Sequence, residues 1–353
     1  MSRATTKSLP LPLRPVRGMM RALGRVPAGL PDGVSRFCPV NADGEHIAPE
    51  MSLAGHAMAV LPGGEMNLAT SVPRARKMLE VNSMMIAEKT PPLAVVEDLV
   101  IGSPSGEIPA TRYRAEVVTT GLIVYFHGGG FALGSRVSHD AYVARLAIDT
   151  GADVLSVDYR LAPEHVFPAA VDDALAAWRF AVAHAPRWGV RTDRLVVAGD
   201  SAGANLATVV AQLVRGESVT PALQLLIYPV TDVLASGGSL DEFATGHFLT
   251  RERVREFIDA YVPDGVDRAD PRISPLRATD LAGQPPAHVV VAGFDPLRDQ
   301  GIAYADALSA AGVSVTVQRE GGLIHGFVNM VGFSPSAGQA VSRMHAVVTK
   351  VLG

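Results

Sequence analysis

The sequence predicts an α/β fold, with a mostly parallel sheet and helices on both faces. Three observations carry this. From Leu122 onward, short apolar runs alternate with segments of helical spacing. Just before them, two strand-like runs joined by a turn can supply an antiparallel edge. A polar stretch at 231–285, rich in Asp and Arg, interrupts the alternation late, where an insertion beside the carboxyl ends of the strands can cover a site.

The elements follow in order. Residues 1–90 have few β-branched runs, many Met and Ala, and a Leu-Pro-Gly-Gly break at 61–64, so they read as a few helices and loops. Val95–Ile101 and Ile108–Tyr113 read as strands joined by Ser-Pro-Ser-Gly. Leu122–Phe126, Val154–Val157, Leu195–Ala198, Leu223–Tyr228, Val289–Ala292 and Val313–Val317 are short enough to be buried strands. Ala141–Ile148, Val171–His184, Ala202–Arg215, Ile302–Ala311 and Ala340–Leu352 have helical spacing and lie between or after them. Inside the interruption, Arg251–Tyr261 reads as one helix. The organisation expected is an N-terminal segment over 1–90, an α/β domain formed by 91–230 and 286–353, and an insertion at 231–285.

Composition narrows the class. The chain has 353 residues, 48% of them apolar, which is enough for a large globular core. A formal net charge of −4 gives no reason to expect nucleic acid or an anionic membrane as the main partner. Cys38 is the single cysteine, so no intrachain disulfide forms; it reads as a small apolar residue, and a cytoplasmic location is expected. No apolar run approaches the roughly 20 residues that span a bilayer, so no transmembrane segment is expected. The N-terminus carries Arg14, Arg17, Arg21 and Arg25, but Pro10, Pro12, Pro15 and Pro27 break any signal-like apolar stretch. Residues 1–30 read as an arm or docking helix, and a membrane- or envelope-associated form stays open.

The chemistry begins at Gly199-Asp200-Ser201-Ala202-Gly203, which follows one strand and opens a helix. A serine on so tight a turn has its hydroxyl held out above the sheet, and bulky residues two positions either side would clash. The helix N-terminus faces the carbonyl where negative charge develops. A plain helix-capping serine is the bland alternative. His127-Gly128-Gly129-Gly130 follows another strand, and its glycines bring backbone N–H groups close to a substrate. Acyl transfer needs such donors around the oxyanion, together with the N–H of the residue after the nucleophile. Gly128 and Gly129 are expected as main donors, with Gly130 and Ala202 beside them. His127 reads as a structural hydrogen-bonding residue. A phosphate loop would need Gly-Lys-Ser or Gly-Lys-Thr, which the sequence lacks.

A serine hydroxyl needs an imidazole to take its proton, and that imidazole needs an acid on its other nitrogen. The chain order in such folds is Ser, then acid, then His. Asp295 follows the strand Val289–Ala292, and His325 lies in a glycine-flanked loop after a later strand, on the same rim as Ser201. Asp299 is expected instead to open the next helix, and Asp232 is a weaker rival for the acid. His345 and His184 fall in helices.

Together, His127-Gly-Gly-Gly, Tyr159-Arg-Leu-Ala-Pro-Glu-His165, Gly199-Asp-Ser-Ala-Gly203, Asp295-Pro-Leu-Arg-Asp299 and His325-Gly-Phe327 resemble the bacterial hormone-sensitive-lipase family of esterases, over about residues 65–350. Within it, the chain is similar to the branch with Asp before the nucleophile. The resemblance implies an α/β-hydrolase fold with about eight strands, 91–230 and 286–353 being the catalytic domain, under a helical cap formed by part of the N-terminal arm over 1–90 and by the cap insertion at 231–285. It implies hydrolysis of short- to medium-chain esters, a small-molecule ester as the partner, and no cofactor or metal. Arg160 and Glu164 match the family's structural loop, so a scaffold role is implied for them. Two departures stand out: Ala204 replaces a frequent second glycine, and Gln300 replaces a frequent Glu. Amide, lactone or N-acyl hydrolysis would use the same triad. A non-catalytic receptor on this scaffold, as in the plant gibberellin receptors, lacks the base histidine that this sequence keeps. Oligomeric state, a homodimer included, is left open.

Overall fold

The computed structural model describes Gly18, residues 38–52, Leu68, 71–246 and 249–353. The arm expected over 1–30 lies outside these residues except for Gly18, as does the break at 61–64.

Eight strands form one sheet: β1 Val95–Ser103, β2 Gly106–Arg114, β3 Leu122–Phe126, β4 Asp153–Val157, β5 Leu195–Asp200, β6 Leu223–Ile227, β7 Ala287–Phe294 and β8 Val315–Ile324. Their order is β1-β2-β4-β3-β5-β6-β7-β8. β1 and β2 pair antiparallel, and β2 pairs antiparallel with β4. Every pairing from β4 across to β8 is parallel.

The helices are α1 Val72–Ile86, α2 Arg136–Thr150, α3 Ala169–His184, α4 Ala202–Leu213, α5 Arg251–Tyr261, α6 Arg298–Ala310 and α7 Pro335–Leu352. The central strands are buried on both sides, and this is why they read as continuous apolar runs. Alternate side chains serve opposite faces. Val124 and Phe126 of β3 join Trp178 of α3, Leu206 of α4 and Tyr304 of α6 in one core. Ile123 and Tyr125 join Val143 of α2 and Met344 of α7 in the other.

Several boundaries differ from the sequence reading, each for a local reason. α2 begins at Arg136 rather than Ala141 because Ser135 and Ser138 form a reciprocal capping box. α7 begins at Pro335 rather than Ala340, with Ser334 accepting from the Ala337 N–H and a proline in the first turn. β8 starts at Val315 and runs on to Ile324, through polar residues absent from the apolar run at Val313–Val317. Those residues have partners: Arg319 bonds Asp43 and Glu45, and Glu320 bonds Arg343.

Within 231–285, α5 lays Val254, Phe257, Ile258 and Tyr261 toward the sheet. Ile258 and Tyr261 join the core, and the Tyr261 ring stacks on Phe131 with centroids 3.9 Å apart. That spacing is one helical stripe, so α5 is seated directly beside the glycine loop. Asn205 of α4 ties it down further by donating to the carbonyls of Val230 and Ile273, both at 2.9 Å.

Candidate active site

Ser201 sits between β5 and α4 with φ 57° and ψ −118°, a conformation that only a tightly built turn imposes on a serine. The turn requires its glycines: a Cβ on Gly203 would lie 2.0 Å from the Phe126 carbonyl oxygen, and one on Gly199 would lie 2.3 Å from that of Gly203.

His325 follows β8 immediately. Its Nε2 lies 2.9 Å from Ser201 Oγ, and its Nδ1 lies 2.7 Å from Asp295 Oδ2. Asp295 is fully buried, and its other oxygen accepts the Leu297 N–H at 2.8 Å. A carboxylate can only accept here, so Nδ1 carries the proton and Nε2 presents a lone pair to the serine. The structure thus brings Ser201, His325 and Asp295 into one hydrogen-bonded line.

The rivals lie elsewhere. Asp299 in the first turn of α6 accepts the Ser239 N–H at 2.7 Å and pairs with Arg298. Asp232 pairs with Arg277 through both oxygens, at 2.7 and 2.9 Å. His345 is buried in α7 against Asp149, where desolvation lowers its pKa despite that carboxylate. His184 bonds the Phe180 carbonyl one turn back. Gln300 fills the place read as a departure by accepting from the N–H groups of Thr231 and Asp232, at 2.7 and 2.9 Å. A neutral amide oxygen satisfies both donors without adding a charge.

The glycine loop corrects one expectation. The Gly128 N–H does not face the substrate space: it donates to Asp200 Oδ1 at 2.8 Å. Among the described residues, the N–H groups of Gly129, Gly130 and Ala202 have no hydrogen-bond acceptor. These three N–H groups are left without a partner there, whereas that of Gly128 anchors the loop to Asp200. His127 is buried and neutral near neutral pH. Burial, aided by His139 and opposed by Asp158, pushes its pKa down to about 4. Its Nδ1–H donates to the Gly128 carbonyl at 2.9 Å, its own carbonyl accepts from Tyr159 Oη at 2.6 Å, and the two rings stack. Arg160 pairs with Asp173, and Glu164 with Arg76.

Two side chains escaped the sequence reading. Tyr228, at φ 36° after β6, places its ring 4.5 Å from that of His325, centroid to centroid. Arg76 of α1 reaches the Ala132 carbonyl at 2.8 Å and supports the loop from outside. Neither lies in a motif, so no local signal marks them. A cavity of about 140 Å³ opens at Ser201 and His325, walled mainly by apolar side chains such as Leu79, Ile86, Leu249, Phe257 and Leu297.

A protein family described by its alpha/beta hydrolase fold matches residues 123–329, which contain Ser201, Asp295, His325 and the glycine loop. The chain belongs to this family. Among α/β-hydrolases it is 46% identical to the carboxylic ester hydrolase LipN of Mycobacterium tuberculosis, over 72% of this chain and 71% of that one. It is 38% identical to an ethyl acetate hydrolase of Pseudomonas putida, over 74% of this chain and 85% of the relative. A solved ester hydrolase from the metagenome of Lake Arreo, complexed with a bipyridine phosphonate derivative, superposes with a TM-score of 0.80 at 40% identity. The superposition covers 86% of this chain and 98% of that one. A Pyrobaculum calidifontis esterase gives a TM-score of 0.78 at 36% identity, with 86% and 98% covered. With such relatives over most of its length, this α/β-hydrolase is a carboxylic-ester hydrolase of the serine type. Among the described residues, no helix is long and apolar enough to cross a membrane.

Proposed function

We propose that this esterase hydrolyses short- to medium-chain carboxylic esters through an acyl-enzyme, with Ser201 as nucleophile, His325 as general base and Asp295 as the acid that orients it. The observation that carries the proposal is the unbroken line from Ser201 Oγ to His325 Nε2, at 2.9 Å, and from His325 Nδ1 to Asp295, at 2.7 Å. As Oγ attacks the acyl carbon, Nε2 takes its proton. The carbonyl oxygen becomes an oxyanion facing the N–H groups of Gly129, Gly130 and Ala202, with the N-terminus of α4 behind it. The alcohol departs with the proton from His325. Water then attacks the acyl-enzyme by the same route in reverse.

The small apolar cavity supports the chain-length range, and the Pseudomonas putida relative is named for an ester of two short fragments. In this reading 91–230 and 286–353 form the catalytic domain, while 231–285 with part of 1–90 forms the cap over the cavity.

The test is a panel of p-nitrophenyl esters of increasing acyl length, run beside a p-nitroanilide. Acetate to octanoate should be turned over readily, long-chain esters poorly and the anilide slowest. An anilide cleaved as fast as the esters, or palmitate as fast as butyrate, contradicts the proposal.

A further inference from the structure

Asp200 stands next to the nucleophile in sequence and is 3% exposed. A buried carboxylate is costly unless its oxygens are well supplied with donors. Here donors arrive from four directions. Oδ1 accepts from Tyr125 Oη at the end of β3 at 2.6 Å and from the Gly128 N–H at 2.8 Å, and it lies 3.3 Å from His139 Nε2 of α2. Oδ2 accepts from Tyr228 Oη at 3.2 Å. The glycine loop is pressed onto this carboxylate: a Cβ on Gly128 would lie 2.5 Å from Oδ2. The triad touches none of these bonds, and ester hydrolysis asks nothing of Asp200 as acid or base.

We infer that Asp200 is the positioning residue of the oxyanion hole. It fixes the glycine loop at Gly128 so that the next two N–H groups, of Gly129 and Gly130, point at the nascent oxyanion. Because Asp200 belongs to the same turn as Ser201 and Ala202, one side chain sets the loop's donors in register with both the nucleophile and the third donor. Tyr228 joins the same arrangement to His325, since its hydroxyl is on Asp200 and its ring is against the imidazole. His139 Nε2 of α2 also faces the carboxylate and helps to hold it in place.

This inference rests on the proposed triad and oxyanion hole, and its test separates the two. Fluorophosphonate labelling of the unmodified enzyme at Ser201 checks the site itself. The inference is checked on Asp200→Ala and Asp200→Asn, using kcat, KM and the inhibition constant of a trifluoromethyl ketone, whose adduct with a serine is an oxyanion. Asparagine keeps one acceptor oxygen for Gly128, whereas alanine keeps none. Misplacing donors by about an ångström costs on the order of 10²-fold. For Asp200→Ala we expect kcat to fall by about that factor, KM to move by less than about threefold, and ketone affinity to fall in step with kcat. Asp200→Asn should recover most of both losses. If the alanine variant does not fold, Asp200→Ser takes its place, its hydroxyl being too short to reach Gly128. The inference is overturned if a folded Asp200→Ala or Asp200→Ser enzyme keeps its kcat. It is also overturned if KM alone rises, if ketone affinity is unchanged while kcat falls, or if Asp200→Asn is as impaired as the variant lacking the acceptor.

Discussion

The position of the Ser201 hydroxyl is set by where its backbone is held. At φ 57° its hydroxyl is presented to His325 Nε2, and the buried Asp295 keeps the proton on the far nitrogen. In the proposed roles these groups act as a unit. Ser201→Ala or His325→Ala should lower kcat/KM on p-nitrophenyl butyrate by about 10³-fold or more. Asp295→Asn should lower it on the order of 10⁴-fold, by favouring the wrong imidazole tautomer. Retention of near-normal turnover by any of the three, with an intact fold by circular dichroism, contradicts those roles. The glycine loop shows what spacing alone leaves undecided. A triple glycine after a strand announces N–H groups near the nucleophile, but not which of them a neighbouring carboxylate consumes. Gly128 was expected as a donor and is instead bound to Asp200, a contact made across 72 residues that no local pattern encodes.

At the scale of elements, α5 and β8 shape the site from opposite sides. The Phe257 ring of α5 lies against Gly130, where a Cβ would come within 2.2 Å of the ring. The same ring walls the cavity beside the donors. Phe257→Ala should therefore lengthen the accessible cavity and shift the ratio of kcat/KM for octanoate over butyrate upward, by several-fold on the order of one large apolar contact. An unchanged ratio in the p-nitrophenyl series contradicts this placement. α5 was legible from its single apolar stripe. β8 was legible only in its apolar start, because it is an edge strand whose polar side chains find partners on neighbouring segments. The position of His325 directly after β8 follows from the full length of that strand.

At the scale of the molecule, the parallel sheet brings together groups 124 residues apart, Ser201 and His325, at one rim. Strand alternation made that rim legible from sequence; the buried polar layer beneath it was not, since it is assembled from β3, β5, α2 and the loop after β6. That layer makes stability depend on pH. His127 has its pKa pushed from 6.5 down to about 4 by burial, so between these values the unfolded chain binds a proton that the folded one refuses. Its contribution is present above about pH 6.5 and is lost as the pH falls toward 4. Below that, Asp200 adds to the trend. Burial alone would raise its pKa, but His139 and its hydrogen bonds outweigh burial and hold it at about 2. Its contribution is present above its unfolded value of 3.8 and disappears as the pH approaches 2. Urea unfolding should show stability falling on acidification from about pH 6.5, with a slope of up to about 1.4 kcal/mol per pH unit for the His127 proton; a level profile down to pH 4.5 contradicts the buried neutral imidazole. The convergence itself is tested most directly by reacting the enzyme with a fluorophosphonate and locating the adduct by peptide mass spectrometry. One adduct is expected, on Ser201, formed rapidly by the unmodified enzyme and much more slowly after His325→Ala. An adduct on another residue, or labelling of Ser201 that is indifferent to His325, would contradict it.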